Sequence, residues 1–273
     1  MERSKTWRKQ HPHSCDSLLT GNFADYPATR MFDNLYFIGN DAMACYLLDT
    51  SEGLVLIDCM DRGFFGYIEN GIRSLNFDPA DLKHILITHG HGDHFGDSNL
   101  FREKYGTKLY MSEKDEQFAT DPSIPRPAHR PGLDYRMDGY IKAGEDFICG
   151  DTIIKLYDTP GHTPGCLSMI LTAYDEGRPC KLALWGGTGA PRATSDKKII
   201  LESCDYFAEC AFREGVIGEI SNHPFVDNTI ERLTALRNIV DGVPHPFVLG
   251  YEGYRKIELM YRGLYVDSLK GIG

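Results

Sequence analysis

The sequence has no C-x-x-C pair, no run of about 18 apolar residues, no short repeat and no low-complexity tract. Basic residues are also scarce, at 29 against 39 acidic ones, for a net charge of −10. The scattered cysteines exclude a thiolate zinc ribbon and read as free buried thiols. The missing apolar run excludes a membrane-spanning helix. The negative balance argues against nucleic acid or an anionic membrane as partner, because both recruit basic surfaces. The N-terminal stretch MERSKTWRKQHPHSC has no apolar signal core, so a cytoplasmic location is expected. Hydrophobic residues make up 42% of the 273, enough to bury a core.

What is present is a succession of strand-like apolar runs: NLYFIG (34–39), ACYLLDT (44–50), GLVLIDC (53–59) and HILITHG (84–90). A second block follows with FICG, TIIKLYDT (152–159), CLSMILT (166–172) and KLALW (181–185). Residues 64–75 carry apolar side chains at helical spacing, and helices are expected near 203–214, 228–240 and 253–270. Asp97 is expected to cap a helix that runs to Tyr105 and stops at Gly106. The first 30 residues read as an irregular extension, and 31–273 as one domain. Residues 119–140, with four prolines, read as a long loop near a site. Two strand blocks, each followed by helices, predict an α/β layered domain.

The densest chemistry lies in THGHGDHFG (88–96), which puts His89, His91, Asp93 and His94 into six positions beside a buried strand. Imidazole and carboxylate are zinc ligands, and each ion takes three or four. His89 and His91 share a face if the chain is extended there. Asp93 and His94 follow Gly92, where the chain can turn, and adjacent side chains diverge. The spacing therefore suggests two metals, with His89 and His91 on one and Asp93 and His94 on the other. The missing ligands must come from elsewhere. DTPGHTPGC (158–166) offers His162 in a turn, and ISNHPF (220–225) offers His223. His11, His13, His84, His129 and His245 lack such a context.

In order and spacing, H-x-H-x-D-H after a strand, then P-G-H-T, then a later His-Pro resemble the metallo-β-lactamase superfamily over roughly residues 32–250. The resemblance implies a four-layered αββα sandwich with the metal site at one edge. It implies His89, His91 and His162 on one metal and Asp93, His94 and His223 on the other. It also implies that Asp58, ending LVLID, buttresses the site. Two zinc ions are the expected cofactors, with iron or manganese as alternatives.

One departure bears on chemistry. Most relatives carry an aspartate that bridges the metals, and here Gly187 of LWGGT stands in its place. The third, histidine-rich subclass of metallo-β-lactamases also lacks it and is the nearest match. That subclass often holds a substrate carboxylate with serines after this strand, where this chain offers only Thr188 and Arg192. With Asp93 as the one anionic ligand, the site should favour anionic or strongly polarised substrates. An aspartate restored at 187 should tighten the second ion.

The resulting expectation is a binuclear metallo-hydrolase acting on a small molecule. A hydroxide shared by the metals would attack an ester, lactone, thioester or amide carbonyl, and Asp93 would orient it and take its proton. The alternatives are a true β-lactamase, an iron persulfide dioxygenase-like oxidoreductase, and a scaffold without activity. Persulfide dioxygenases keep the aspartate lost at Gly187. Diiron oxygen or nitric oxide reductases of this fold carry a glutamate at the position of His91.

Overall fold

The chain's most apolar runs are strands covered on both faces. The computed structural model describes residues 21–123 and 135–271. β2 (Leu35–Asn40), β3 (Ala44–Thr50) and β4 (Gly53–Ile57) form an antiparallel meander. β5 (Leu82–Leu86), β6 (Lys108–Met111) and the short β7 (Gly139–Tyr140) add to it in parallel. With β1 (Asp25–Arg30) on the far edge, the sheet has seven strands in sequence order. The second sheet runs β12-β11-β10-β9-β8. It comprises β8 (Phe147–Cys149), β9 (Thr152–Asp158), β10 (Leu167–Asp175), β11 (Arg178–Leu184) and, parallel to β11, β12 (Gly218–Ile220).

Strand alternation sorts the apolar residues into separate cores. Phe37, Tyr46, Leu48, Val55 and Ile57 of the first sheet meet Leu156, Leu167, Met169, Leu182 and Leu184 of the second. The intervening residues of the first sheet, Ile38, Cys45, Leu47, Leu54 and Leu56, face outward onto α1 (Phe65–Ser74) through Ile68 and Ile72, and onto α3 (Ser98–Tyr105) through Phe101. Between these helices lies the single turn α2 (Gly92–Phe95). On the other side, Ile170, Ala183 and Trp185 pack beneath two long helices, α5 (Thr194–Glu214) and α8 (Gly250–Leu269). Three interlayer cores make four layers, the αββα sandwich expected from the resemblance. Each fully buried Leu, Ile, Val or Phe contributes about 1.5–3 kcal/mol to holding them together.

Several local readings need correction. Residues 25–30 are not irregular: they form β1, paired with β2 through Tyr26↔Gly39 and Thr29↔Phe37. Pro27 sits in the register shift between these pairs, on an edge strand where its missing N–H is tolerated. Helix α5 begins at Thr194 rather than near 203, because its first seven residues (TSDKKII) bury only Ile200 and show no apolar period. Asp97 does precede α3, but its carboxylate accepts from Gly63 N–H at 2.6 Å instead of capping the helix. Gly106 ends that helix in the left-handed region, as expected. Half of the loop read at 119–140, residues 124–134, lies outside the described residues, and its last two, Gly139–Tyr140, form β7 instead. Residues 119–120 close α4 (Glu113–Thr120), a helix with no expectation attached. The short α6 (Pro224–Asp227) and α7 (Thr229–Arg237) follow β12. Seven cysteines are free and buried, and Cys15 lies outside the described residues. No helix among the described residues is long and apolar enough to cross a membrane.

Acids lie in the core beneath α5 and α8. Burial pushes the Glu219 carboxyl well up, and burial raises that of half-buried Glu258 to about 7. A carboxyl whose folded pKa exceeds its unfolded value binds extra protons when folded, so stability falls as pH rises between the two values. The fall for Glu258 spans the interval from 4.5 to about 7. Melting temperatures across that interval should decline less in Glu258→Gln than in the parent. Equal declines in the two proteins would remove Glu258 as a cause.

Candidate metal centre

Six candidate ligands converge at one edge of the sandwich. After β5 the chain bends through residues 88–91, where His91 itself has φ −89° and ψ 148°, and then closes the single turn α2. His89 and His91 share a side, with ring centroids 5.0 Å apart. Asp93 and His94 leave from the turn. His162 stands in the loop between β9 and β10, where Gly161 at φ 123° allows a tight reversal. His223 precedes α6, with Pro224 at its first position. The ligand atoms fall into two groups, His89 with His91 and His162, and Asp93 with His94 and His223, each group lying within 4.8 Å.

The ring orientations are fixed from behind. His162 Nδ1 donates to Gly189 O at 2.7 Å, and His223 Nδ1 to Ala42 O at 2.8 Å. Thr88 Oγ1 donates to Asp58 and lies 3.1 Å from His89 Nδ1, whose proton it can accept. His94 Nδ1 donates to Asp58 Oδ2 at 2.8 Å. One nitrogen of each of these rings is held from outside the group, which directs the other into it; that of His162 lies 3.0 Å from His91 Nδ1. His89 Nε2 and His94 Nε2 are buried with no hydrogen-bond partner. Buried polar atoms are rarely left so, and a cation at each would satisfy them.

The electrostatics agree. Burial pushes His89 well below its ordinary value and His162 down to about 4, and it lowers His223. These rings are therefore neutral, the form that binds metal. Burial also lowers His94, but the Asp93 and Asp58 carboxylates outweigh it and raise the ring to about 10. Two carboxylates thus hold a positive charge on His94, which a cation would supply in the proton's place. Burial raises Asp93, yet His94, His223 and His91 together hold it well below the carboxylate range. The donor set fits two cations of the zinc type.

Asp58 sits where the resemblance placed it, fully buried behind His94, and also accepts from Thr88 N–H at 2.8 Å. Gly187 is against the site. A Cβ built there would lie 2.5 Å from His162 Cβ and 2.8 Å from its ring. An aspartate at 187 would meet the ring of His162, which would have to shift to admit it. Thr188 lines the cleft above the site, whereas Arg192 is exposed and does not.

Four supporting residues escaped the sequence reading. Asp115, fully buried at the start of α4, accepts from Gly90 N–H at 2.8 Å, Gly165 N–H at 2.6 Å and Thr163 O–H at 2.6 Å. It ties the His89–His91 stretch to the His162 loop. The Ser112-x-x-Asp115 spacing signalled the helix start, and Ser112 does cap it, but nothing local told that the carboxylate reaches across. Thr88 links Asp58 to His89. Asn222 Nδ2 donates to Gly186 O at 3.0 Å. Tyr265, from α8, donates to Gly187 O and Thr188 O at 3.2 and 3.3 Å, and accepts from Trp185 Nε1 at 2.7 Å.

The chain belongs to the metallo-beta-lactamase superfamily, whose sequence pattern matches residues 39–176. It is similar to "Uncharacterized protein YobT" of Bacillus subtilis (strain 168), 31% identical over 47% of this chain and 56% of that one. It is also similar to an N-acyl homoserine lactonase of Bacillus sp, 26% identical over 49% of this chain and 59% of the relative. The chain thus spans little more than half the length of these curated relatives. Among solved structures it resembles BJP-1, a subclass B3 metallo-beta-lactamase of Bradyrhizobium japonicum. The TM-score is 0.72 and the identity 25%, covering 91% of this chain and 94% of that one.

Proposed function

We propose that this chain is a metal-dependent hydrolase with two zinc ions, acting on an ester, lactone, thioester or amide of a small molecule. The observation that carries the reading is the pair of three-atom ligand groups opening onto one cleft. His89, His91 and His162 would hold one ion, and Asp93, His94 and His223 the other. When bound, such ions supply Lewis acidity toward a carbonyl and toward water. Asp93, kept ionised by its histidine neighbours, orients the attacking water and takes its proton. Thr188 lines the cleft and offers a neutral hydroxyl to a substrate oxygen. Asp58, through His94, acts as a positioning residue. A second reading, hydrolysis of a β-lactam amide, draws on the likeness to BJP-1. The stretch Gly186–Gly189, which has no serine, weighs against it.

The test joins metal analysis to turnover. Chelator-stripped protein titrated with zinc should bind about two ions. His162→Ala should lose mainly the first and His94→Ala mainly the second. Chromogenic ester, lactone and cephalosporin substrates should then be turned over only by the metal-loaded protein. Saturation with a single ion would overturn the two-site assignment. Absence of metal-dependent turnover across the panel would overturn the hydrolase reading.

A further inference from the structure

We infer that the cleft beside the ligand groups is a subsite for an uncharged, apolar acyl group of the substrate; the inference rests on the hydrolase reading. The cleft has a volume of about 330 Å³ and is open to solvent. This is within the range of small-molecule sites. One wall is the ligand cluster. The rest of the lining includes Phe225 and Val226 of α6, with the Phe225 ring 5.4 Å from that of His223, and Met260 and Leu264 of α8.

The apolar wall follows from how α8 is seated. Tyr254, Tyr261 and Tyr265 turn inward and are buried against the second sheet. Met260 and Leu264 each precede an inward tyrosine, so they point about 100° around the helix from it, and one turn apart on a common face. That face borders the cleft, with Met260 also packed against the core beneath α8 and Leu264 41% exposed. Four apolar side chains therefore line the cleft beside the ligand atoms, ready to bury the part of a substrate next to its carbonyl.

The charges on the walls narrow the class. Among the described residues lining the cleft, Asp93 is the only acid, and there is neither lysine nor arginine. A substrate carboxylate lying along the α8 wall would have no side-chain cation to meet it and would be desolvated against Met260 and Leu264, which is costly. An aliphatic or aromatic acyl group gains instead from every methylene it buries. The earlier expectation of an anionic substrate is thus narrowed to a polarised carbonyl carrying a neutral, apolar acyl group.

The experiment measures binding of alkyl hydroxamates to the zinc-loaded protein by calorimetry, in the series acetohydroxamate, butyrohydroxamate, octanohydroxamate and succinic monohydroxamate. Affinity should rise about two- to fourfold per buried methylene along the neutral series. The succinic compound should bind more weakly than butyrohydroxamate. Met260→Ala combined with Leu264→Ala should cut octanohydroxamate affinity by at least about tenfold. Leu259→Ala, on the same helix and away from the cleft, should leave the series unchanged. Leu264→Lys, at a half-exposed position the fold tolerates, should reverse the order of the succinic and butyro compounds. A flat neutral series, a preference for the succinic compound in the parent protein, or an undiminished slope in the Met260/Leu264 double variant would overturn the subsite. Chromogenic acyl esters assayed in parallel separate the two readings. A rising hydroxamate series without metal-dependent turnover of these esters or of the lactone and cephalosporin panel supports the subsite and overturns the hydrolase reading alone.

Discussion

Asp93→Asn should lower turnover by about 10²–10⁴-fold while the protein stays folded, the size expected when a general base is lost. The substitution keeps shape and removes charge and basicity. Asp93 Oδ2 lies 3.5 Å from His94 Nε2 and 3.8 Å from His223 Nε2, so the carboxylate is central to the second group. An amide there can still offer an oxygen to a cation, but it cannot take a proton from water at neutral pH. Metal content must be measured on the same sample, since loss of an anionic ligand also weakens metal binding. The discriminating result is turnover at saturating zinc. Near-parental turnover with two ions bound would remove Asp93 from proton transfer and leave it a ligand only.

The second large effect concerns a residue that touches no candidate ligand atom. Asp115→Ala should destabilise the metal-free protein by about 2–5 kcal/mol, because two buried N–H groups and the Thr163 hydroxyl lose their acceptor together. It should also weaken metal binding at the first group. Gly90 lies between His89 and His91, and Thr163 and Gly165 follow His162, so one carboxylate sets the distance between the two segments. Asp115→Asn, which keeps one acceptor oxygen, should fall between the parent and the alanine variant. Urea denaturation measures the first effect and chelator competition the second. A loss under about 1 kcal/mol with unchanged zinc affinity would show that the segments keep their spacing without Asp115.

How much of this was legible in the sequence depends on the range over which each feature is specified. Strands β2 to β4 were plain because burial on both faces writes them as nearly continuous apolar runs, such as Leu54–Ile57. The ligand candidates were legible because metal chemistry restricts residue type and the H-x-H-x-D-H spacing carries its own geometry. β1 was missed because an edge strand with Pro27 and one wet face has too few apolar residues to show alternation. The reach of Asp115 was invisible because its partners, Gly90 and Gly165, lie 25 and 50 residues away. Gly187 shows the same limit in reverse. Its significance as a vacant ligand position was read from the alignment of motifs, but the ring that fills the adjoining space belongs to a loop whose approach no local pattern encodes.

The seating of α8 separates two properties along the chain. All six candidate ligands are present by His223, in the sheets and loops that precede this helix. Met260 and Leu264, on the cleft wall, and Tyr265, on the carbonyls of the 187–188 turn, arrive only with the closing helix. Under the proposed function, selectivity could therefore drift through substitutions on one face of α8 while the six candidate ligands, encoded far upstream, stay unchanged. A lineage could then exchange one substrate for another without losing a ligand.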